Sequence, residues 1–149
     1  MEIIEFYLQD NQEYWLSKIK NCDWVAGKFL FEIIKEDKLM ELLGNNTKVL
    51  LLTDDTELIS FCTLSEIDDI ADTKITPWIG FIYTFPNYRG NRYIGKLICY
   101  AEEVAKLQGF TNVYISTDQI GIYEKYCYSF FQYMKDRNGE DSRVYVKHL

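Results

Sequence analysis

The segment that most constrains this chain is an apolar stretch that leads through a short cationic loop into an amphipathic helix. Residues 78–85 are apolar at nearly every position, as expected for a strand that is covered on both faces of a sheet. Pro86 ends this strand, and apolar residues at helical spacing then run from Tyr93 until Gly109 closes the helix. Residues 113–116 form another apolar strand, so the unit predicts a parallel strand pair with a right-handed crossover.

The rest of the chain predicts antiparallel pairing around this unit. Helical periodicity dominates the N-terminal third, and apolar runs separated by turn residues indicate hairpins. The predicted elements are helices over residues 11–19 and 29–43, a hairpin of 48–53 and 58–64 around Asp54-Asp55, a short helix over 122–126, and a terminal hairpin of 130–134 and 144–146 around Asn138-Gly139. We therefore expect an α/β fold whose mixed sheet is mostly antiparallel, with one parallel pair and flanking helices.

Length and charge narrow the class of protein. With 149 residues and no Pro/Gly/Ser-rich linker, the chain is expected to form one domain over residues 1–149. A net charge of −7 argues against a nucleic-acid surface, which needs clustered Lys and Arg. No apolar run approaches the roughly 18 residues of a membrane span, so we expect no membrane insertion and a cytoplasmic location.

The cysteines favour neither a disulfide framework nor a metal site. They lie far apart without a CxxC spacing, and the single histidine, His148, stands near the end of the chain. No bound metal is therefore predicted. The cysteines are interpreted as reduced thiols that lie mostly in the core, and they are Cys22, Cys62, Cys99 and Cys127.

The loop between the strand and the helix concentrates positive charge in an acidic chain. Arg89, Arg92 and Lys96 surround Gly90 and Gly95 at a predicted helix start. Unpaired N–H groups and the positive end of the helix dipole at such a start favour an anion, and a diphosphate would fit. An ordinary strand-to-helix turn with solvated cations has the same composition, so the loop alone leaves both interpretations open.

Two motifs in this order resemble the acetyl-CoA-binding sequences of the GNAT superfamily. The first is Ile82-Tyr83-Thr84-Phe85-Pro86-Asn87-Tyr88-Arg89-Gly90. The second, Gly121-Ile122-Tyr123-Glu124-Lys125-Tyr126-Cys127-Tyr128-Ser129-Phe130, is similar to the family's Leu-Tyr-Glu-Lys-x-Gly-Phe stretch. The likeness is strong over residues 78–131. The chain departs from the family pattern at Arg92 and Ile94, where small residues are usual, and at Cys127, which replaces a glycine.

The resemblance implies a GNAT fold with a splayed parallel strand pair and an enzyme that moves an acetyl group from acetyl-CoA to an amine by direct attack. It also implies that the cosubstrate contacts Tyr83 and Thr84 through the strand backbone. Its diphosphate would lie on the loop and the helix start, which comprise Arg89, Gly90, Asn91, Arg92, Tyr93, Ile94, Gly95 and Lys96. Tyr123 falls on the family tyrosine that protonates the CoA sulfur; the alternative is a packing role in the core.

The acceptor is less well defined, although the acidic balance favours a cationic amine on a small molecule or a peptide. Glu66, Asp68 and Asp69 form the acidic cluster nearest to the central strand, and we predict that they bind the ammonium or relay its proton. A solvated loop is the alternative. Trp78 and Tyr83 are candidates for packing against the amine.

The general base is not identified, because the stretch Thr76-Pro77-Trp78-Ile79 lacks the glutamate that some family members carry before the loop. Its absence keeps open a GNAT-like domain that binds or senses acyl-CoA without catalysis. A nucleotide-binding α/β domain of another class is a weaker alternative, since neither GxxxxGK[ST] nor GxGxxG is present. The assembly state, including a homodimer, is left open.

Overall fold

A mixed sheet with one parallel strand pair forms the centre of the molecule. The computed structural model describes residues 1–71 and 73–149, and within them seven strands follow the order β1-β2-β3-β4-β5-β7-β6. The strands are β1 (Glu2–Glu5), β2 (Lys48–Asp54), β3 (Glu57–Ser65), β4 (Trp78–Thr84), β5 (Asn112–Thr117), β6 (Ser129–Lys135) and β7 (Asp141–His148). All neighbours are antiparallel except β4 and β5. The predicted fold class is confirmed.

Helices cover both faces of this sheet. They are α1 (Gln12–Lys20), α2 (Val25–Lys35), α3 (Leu39–Leu43) and α4 (Tyr93–Leu107), with short 3₁₀ turns at Phe6–Leu8, Pro86–Tyr88 and Tyr123–Tyr126. The N-terminal helices bury one face around Phe6, Ile19, Leu30 and Phe61. Helix α4 buries the other face, where Leu97 and Ala101 meet the apolar side chains of β2, β3 and β5. The loop predicted to bind phosphate therefore connects the buried strand β4 to the buried helix α4.

The N-terminal third differs from the sequence prediction in two places. Strand β1 was not predicted, because its few residues gain their order from pairing along β2. The single helix predicted over residues 29–43 is two helices, and α2 begins earlier, at Val25. The chain breaks between them at Asp37, which adopts a left-handed conformation with φ 60°.

A β-bulge in β4 separates this strand from β5. Phe61 pairs with Tyr83 and Thr63 with Gly80, so Phe81 and Ile82 together oppose the single residue Cys62. Phe81 takes the left-handed conformation, with φ 49°. Within the described residues β4 and β5 share a single register pair, Trp78 with Tyr114, and they diverge after it. The parallel pair is therefore open towards the ends of both strands.

The cysteines lie only partly where predicted. Cys22 and Cys62 are buried, but Cys99 and Cys127 are exposed, so half of the thiols lie outside the core. Cys99 faces solvent in the middle of α4, and Cys127 ends the 3₁₀ turn Tyr123–Tyr126. In the described ranges, which omit only residue 72, no helix combines the length and apolarity needed to cross a bilayer.

We predict opposite effects of glycine at the two exposed cysteines. Cys127 has φ 72°, a conformation that costs an L-residue about 1 kcal/mol and glycine almost nothing. Cys127→Gly should therefore raise the unfolding free energy by about 1 kcal/mol, which corresponds to about 2–4 °C in Tm. The matched control Cys99→Gly should lower it by roughly 0.5 kcal/mol, because glycine is unfavourable inside a helix. Thermal melts of both variants test the left-handed assignment, and a lower Tm for Cys127→Gly would contradict it.

Candidate active site

A cleft of about 1500 Å³ opens where β4 and β5 diverge. Residues 79–84 of β4 form one wall and residues 115–119, at the end of β5, form the other. The loop at 88–94 closes one end, and the β3–β4 and β6–β7 connections line the other. The start of α2 lies between them, because Asp23 contacts Arg89 of the loop and Trp24 stacks on Tyr83. The strand divergence described above thus produces a single elongated site with two chemically different ends.

The loop end presents a run of unpaired backbone donors. Arg89 N–H donates to the carbonyl of Pro86, and Gly95 N–H donates to that of Arg92. Between them, the N–H groups of residues 90–94 have no backbone acceptor in the described part of the chain. Gly90 (φ 88°) and Arg92 (φ 57°) turn this run around the start of α4. Such a concave run at a helix N-terminus can bind an anion.

The predicted cofactor-binding side chains differ in where they lie. Arg89, Gly90, Arg92, Tyr93 and Ile94 line the cleft, whereas Asn91, Gly95 and Lys96 do not. Asn91 instead supports the loop, because its Nδ2 donates to the carbonyl of Tyr88 at 3.1 Å.

Two of these residues make contacts that the sequence did not predict. Arg89 donates from Nε to the carbonyl of Thr84 at 2.9 Å, and its guanidinium lies 3.8 Å from Asp23 and over the ring of Tyr83. Gly95 lies against Tyr126, since a Cβ there would come within 2.7 Å of the Tyr126 ring. Gly95 therefore fits α4 to the 3₁₀ turn. Lys125, which the sequence analysis left without a role, lines the cleft as a further cation.

Tyr123 lies on the wall of the cleft below β4. Its side chain is 7% exposed and packs edge to face on Tyr128, and its hydroxyl has no hydrogen-bond partner in residues 1–71 and 73–149. Burial, with smaller contributions from Cys62 and Tyr126, raises the pKa of Tyr123 to about 12. By contrast, the hydroxyl of Tyr128 is committed to Glu102 at 2.7 Å. Tyr123 thus presents a protonated, unoccupied hydroxyl next to the cleft.

Tyr83 and Thr84 belong to the β4 wall, but their side chains point to other partners. The hydroxyl of Tyr83 donates to Asp23, and its ring stacks on Trp24 at 5.7 Å. The Thr84 hydroxyl lies 3.0 Å from that of Ser60. Any contact of these two residues with a ligand in the cleft would therefore come mainly from the backbone, as the resemblance implies.

The acidic cluster is split between the cleft and its surroundings. Asp68 and Asp69 line the cleft, while Glu66 packs against Gly44 outside it. Asp68 is only 8% exposed, so the solvated-loop alternative does not describe this residue. Burial first, then the neighbouring Asp69, raise the pKa of Asp68 to about 8.

Trp78 does not reach the cleft. It is completely buried, its ring meets Tyr114, and its Nε1 donates to the carbonyl of Ile75 at 2.8 Å. We therefore do not retain Trp78 as an acceptor-binding residue. It lies before the bulge, where β4 and β5 are still paired, and this explains its burial.

An aromatic wall that the sequence analysis missed faces the acidic residues. Phe29 of α2 stacks with Phe81 of the bulge at 6.5 Å, and both line the cleft together with Trp24. Phe29 is 50% exposed, so its ring is available to a ligand in the cleft. The sequence analysis detected the apolar face of α2 but began this helix at residue 29, four residues after its actual start at Val25. Trp24 and the loop before the helix were therefore not considered.

Comparisons with known proteins agree with this geometry. The model described as "Acetyltransferase (GNAT) family" matches residues 4–127. No protein of curated function matches the sequence. Among solved structures, aminoglycoside 6'-acetyltransferase type Ii is similar with a TM-score of 0.71 and 17% identity, covering 99% of this chain and 97% of that chain.

Two ligand-bound structures show the same likeness. An aminoglycoside 6'-N-acetyltransferase complexed with coenzyme A has a TM-score of 0.68 and 14% identity. A GNAT family acetyltransferase from Elizabethkingia anophelis with acetyl-CoA bound has a TM-score of 0.66 and 14% identity. Each match covers 99% of this chain and 97% of the other. At these identities the likeness establishes a shared fold.

Proposed function

The chain belongs to the GNAT acetyltransferase family, and we propose that its residues 1–149 act as one domain that transfers the acetyl group of acetyl-CoA to a primary amine of a cationic acceptor. The observation that carries this proposal is a single cleft that joins free loop N–H groups, an unoccupied tyrosine hydroxyl and a buried carboxylate. Similar proteins are bound to coenzyme A or acetyl-CoA, and one of these is an aminoglycoside acetyltransferase, which supports both the cosubstrate and an amine acceptor.

The loop end suits the diphosphate of CoA. The N–H groups of residues 90–94 would donate to its oxygens, and the dipole of α4 points its positive end at the same place. Arg92 and Lys125 add charge at the mouth of the cleft. Because Arg89 is held by Thr84 and Asp23, we assign it to fixing the loop on β4 and α2.

The thioester would lie between the diverging strands. Past Trp78 the edge of β4 that faces β5 has no strand partner, so its backbone groups are free for the pantetheine arm and for the carbonyl of the acetyl group. A donor held rigidly at that carbonyl stabilises the charge that develops as the amine attacks. Direct attack requires no covalent enzyme intermediate.

Tyr123 is proposed as the proton donor for the departing thiolate. In residues 1–71 and 73–149 its hydroxyl has no hydrogen-bond partner, and Tyr123 lines the same cleft. A pKa of about 12 keeps it protonated at neutral pH, and the phenolate left after donation is a strong enough base to take up a proton leaving nitrogen. A buried tyrosine beside the cleft whose hydroxyl has no other partner in the described residues favours an enzyme over the acyl-CoA-sensing alternative.

The acceptor would enter from the end opposite the diphosphate. Asp68 and Asp69 supply negative charge there, and the aromatic wall of Trp24, Phe29 and Phe81 supplies apolar surface and cation–π contacts. The acceptor that fits best is therefore an ammonium attached to an apolar body, offered by a small molecule or a peptide.

We predict that the loop backbone determines CoA affinity, and two glycines allow a matched test. Gly90 (φ 88°) and Gly109 (φ 93°) both have open space where a Cβ would stand, so alanine at either position adds backbone strain alone. Both variants should lose about 1 kcal/mol of stability. Only Gly90→Ala should also weaken CoA binding, by about tenfold, in calorimetric titration. Equal CoA affinity of the two variants would contradict this placement.

Tyr123→Phe should bind CoA normally and lose about 10²-fold in kcat, the lower end of the range typical of general acid catalysis, since water can partly replace the phenol. Tyr128→Phe is the structural control: it removes a buried hydroxyl from the ring that packs on Tyr123 and should lower Tm with little change in kcat. Steady-state rates and melts of both variants decide between chemistry and packing. An unchanged kcat for Tyr123→Phe rejects the acid role.

Electrostatic attraction of the acceptor predicts that kcat/KM falls with ionic strength when acetyl-CoA is saturating. The Debye length shrinks from about 10 Å at 0.1 M salt to about 3 Å at 1 M, and exposed charges then interact more weakly. Asp69→Asn should reduce the salt dependence, whereas Asp10→Asn, an equal charge change at an exposed residue outside the cleft, should keep it. Equal slopes for the two variants would argue against an acidic acceptor site.

A further inference from the structure

The β3–β4 connection places one carboxylate directly over the strand that would bind the thioester. A methyl group on Gly80 would overlap Oδ1 of Asp68, so this carboxylate lies against the backbone of β4 immediately before the bulge. Gly80 pairs with Thr63, and the Thr63 hydroxyl is buried without a hydrogen-bond partner in the described residues. The absence of a side chain at Gly80 thus makes room for a polar group next to the reacting centre.

The carboxylate of Asp68 is buried without a countercharge in direct contact. It is 8% exposed, lines the cleft, and has no hydrogen-bond partner in residues 1–71 and 73–149 beyond the adjacent Asp69. A structural aspartate at this depth normally has hydrogen bonds or an ion pair to offset its lost hydration. Asp68 has no ion pair in the described residues, and its hydrogen bonds come from Asp69 alone, so its burial raises its pKa instead of being fully compensated.

The fold nevertheless holds this loop firmly. Arg137 N–H donates to the carbonyl of Asp69 at 2.9 Å, and Ala71 N–H donates to that of Lys135 at 3.2 Å. Ile70 and Asp136 form a bridge between the same segments, and Ser65 caps the start of the loop through the carbonyl of Ile67. The tip of the β6–β7 hairpin therefore fixes the residues that follow Asp68, and Ser65 holds the residue before it.

We infer that Asp68 is the general base of the reaction, which removes a proton from the acceptor ammonium so that the free amine can attack the thioester. This inference rests on the proposed acetyl transfer and supplies the base that the sequence alone did not identify. The glycine beneath the carboxylate, the burial without an ion pair in the described residues and the position in the cleft are the observations that carry it.

The protons balance with the roles already assigned. The ammonium gives its first proton to Asp68, which passes it to solvent. The nitrogen then forms its bond to the acetyl carbon as the carbon–sulfur bond breaks, and Tyr123 protonates the thiolate. The second proton that leaves nitrogen restores Tyr123. Two protons leave nitrogen and one remains on sulfur, so one is released for each amide formed.

The charged groups around Asp68 support a base that works near neutral pH. Asp69 on the same loop raises the pKa of Asp68 further, and Arg137 on the hairpin tip lowers it by a smaller amount than burial raises it. Asp136 caps its own turn by accepting from two backbone N–H groups, and Asp23 across the cleft is held by Tyr83 and Arg89. A raised pKa matches the task, because a base is most effective when its pKa lies near the working pH.

The decisive experiment compares kcat/KM of wild type and Asp68→Asn from about pH 6 to about pH 10 at saturating acetyl-CoA, with 2-phenylethylamine and spermidine as probe amines. The variant should be slower by about 10²-fold or more at pH 7. The ratio of wild-type to variant kcat/KM should stay constant below the raised pKa of Asp68. Above that pKa the ratio should fall, because the amine then loses its proton to solvent without help. A packing defect would lower the rate equally at all pH values.

Thermal melts without ligand give a second, independent readout. The folded-state pKa of Asp68 is raised above that of an unfolded aspartate, about 3.9, so the fold loses stability as the pH rises from that value, where the unfolded aspartate ionises, to the folded-state pKa. Asp68→Asn removes this penalty. Its Tm should exceed that of wild type at neutral pH, and the difference should vanish near pH 4. A structurally important carboxylate would give the opposite sign.

Asp69→Asn is the matched variant, an identical change at the next residue. In this variant kcat/KM should still fall as the pH is lowered, but the fall should occur at lower pH. The reason is that removal of the like charge next to Asp68 lowers the pKa of Asp68. Wild type that acetylates neither probe amine overturns the proposed function and the base with it. If wild type is active, two results overturn the base assignment alone. One is a kcat/KM of Asp68→Asn within about twofold of wild type at pH 7. The other is a variant that has a lower Tm and whose loss of kcat/KM is the same at every pH.

Discussion

The bulge in β4 is the feature on which the rest of the site depends. Two residues there oppose one residue of β3, and the extra residue, Phe81, adopts a left-handed conformation that costs an L-residue about 1–2 kcal/mol. The bulge bends β4 away from β5, so their pairing stops at Trp78 and Tyr114 and a cleft opens in what would otherwise be a continuous sheet. It also turns the Phe81 ring towards Phe29 of α2. The strained conformation of Phe81 thus produces two features of the site, a free strand edge and an aromatic wall.

Left-handed positions also explain where this chain departs from the family pattern. Arg92 and Cys127 stand where small residues are usual, and their φ values are 57° and 72°. Glycine adopts these conformations without strain, whereas Arg and Cys do so because the surrounding structure holds them. Gly95 lacks a side chain for a different reason, since the ring of Tyr126 occupies the space where its Cβ would stand. Loop, helix α4 and the 3₁₀ turn therefore fit one another as a unit, and its backbone donors survive the substitutions.

The sequence predicted the elements that carry their own periodicity and turn residues: both hairpins, the strand-helix-strand unit and α4 all lie within a few residues of their expected bounds. It could not predict β1, whose order comes from pairing with β2, or the break at Asp37, which is a single backbone rotation. For the proposed site, local pattern pointed to the cationic loop at 89–96 and to Tyr123, both of which reach the cleft. The burial of Asp68 and of Trp78 depends on where β4 and β5 separate. The bulge determines that position, and the sequence around either residue does not reveal it.

The distribution of charge along the cleft is more informative than the net charge of −7. Arg92 and Lys125 stand at the loop end, where the dipole of α4 adds to them. At the opposite end Asp68, Asp69 and Asp136 outweigh the single charge of Arg137. An anionic cosubstrate and a cationic acceptor would therefore each be repelled from the wrong end, which orients both before any specific contact forms. Arg89 does not contribute fully to this gradient, because Asp23 balances its charge between the two ends. The gradient therefore depends on a few residues in the cleft, and the surplus of acidic residues elsewhere on the surface adds little to it at physiological salt.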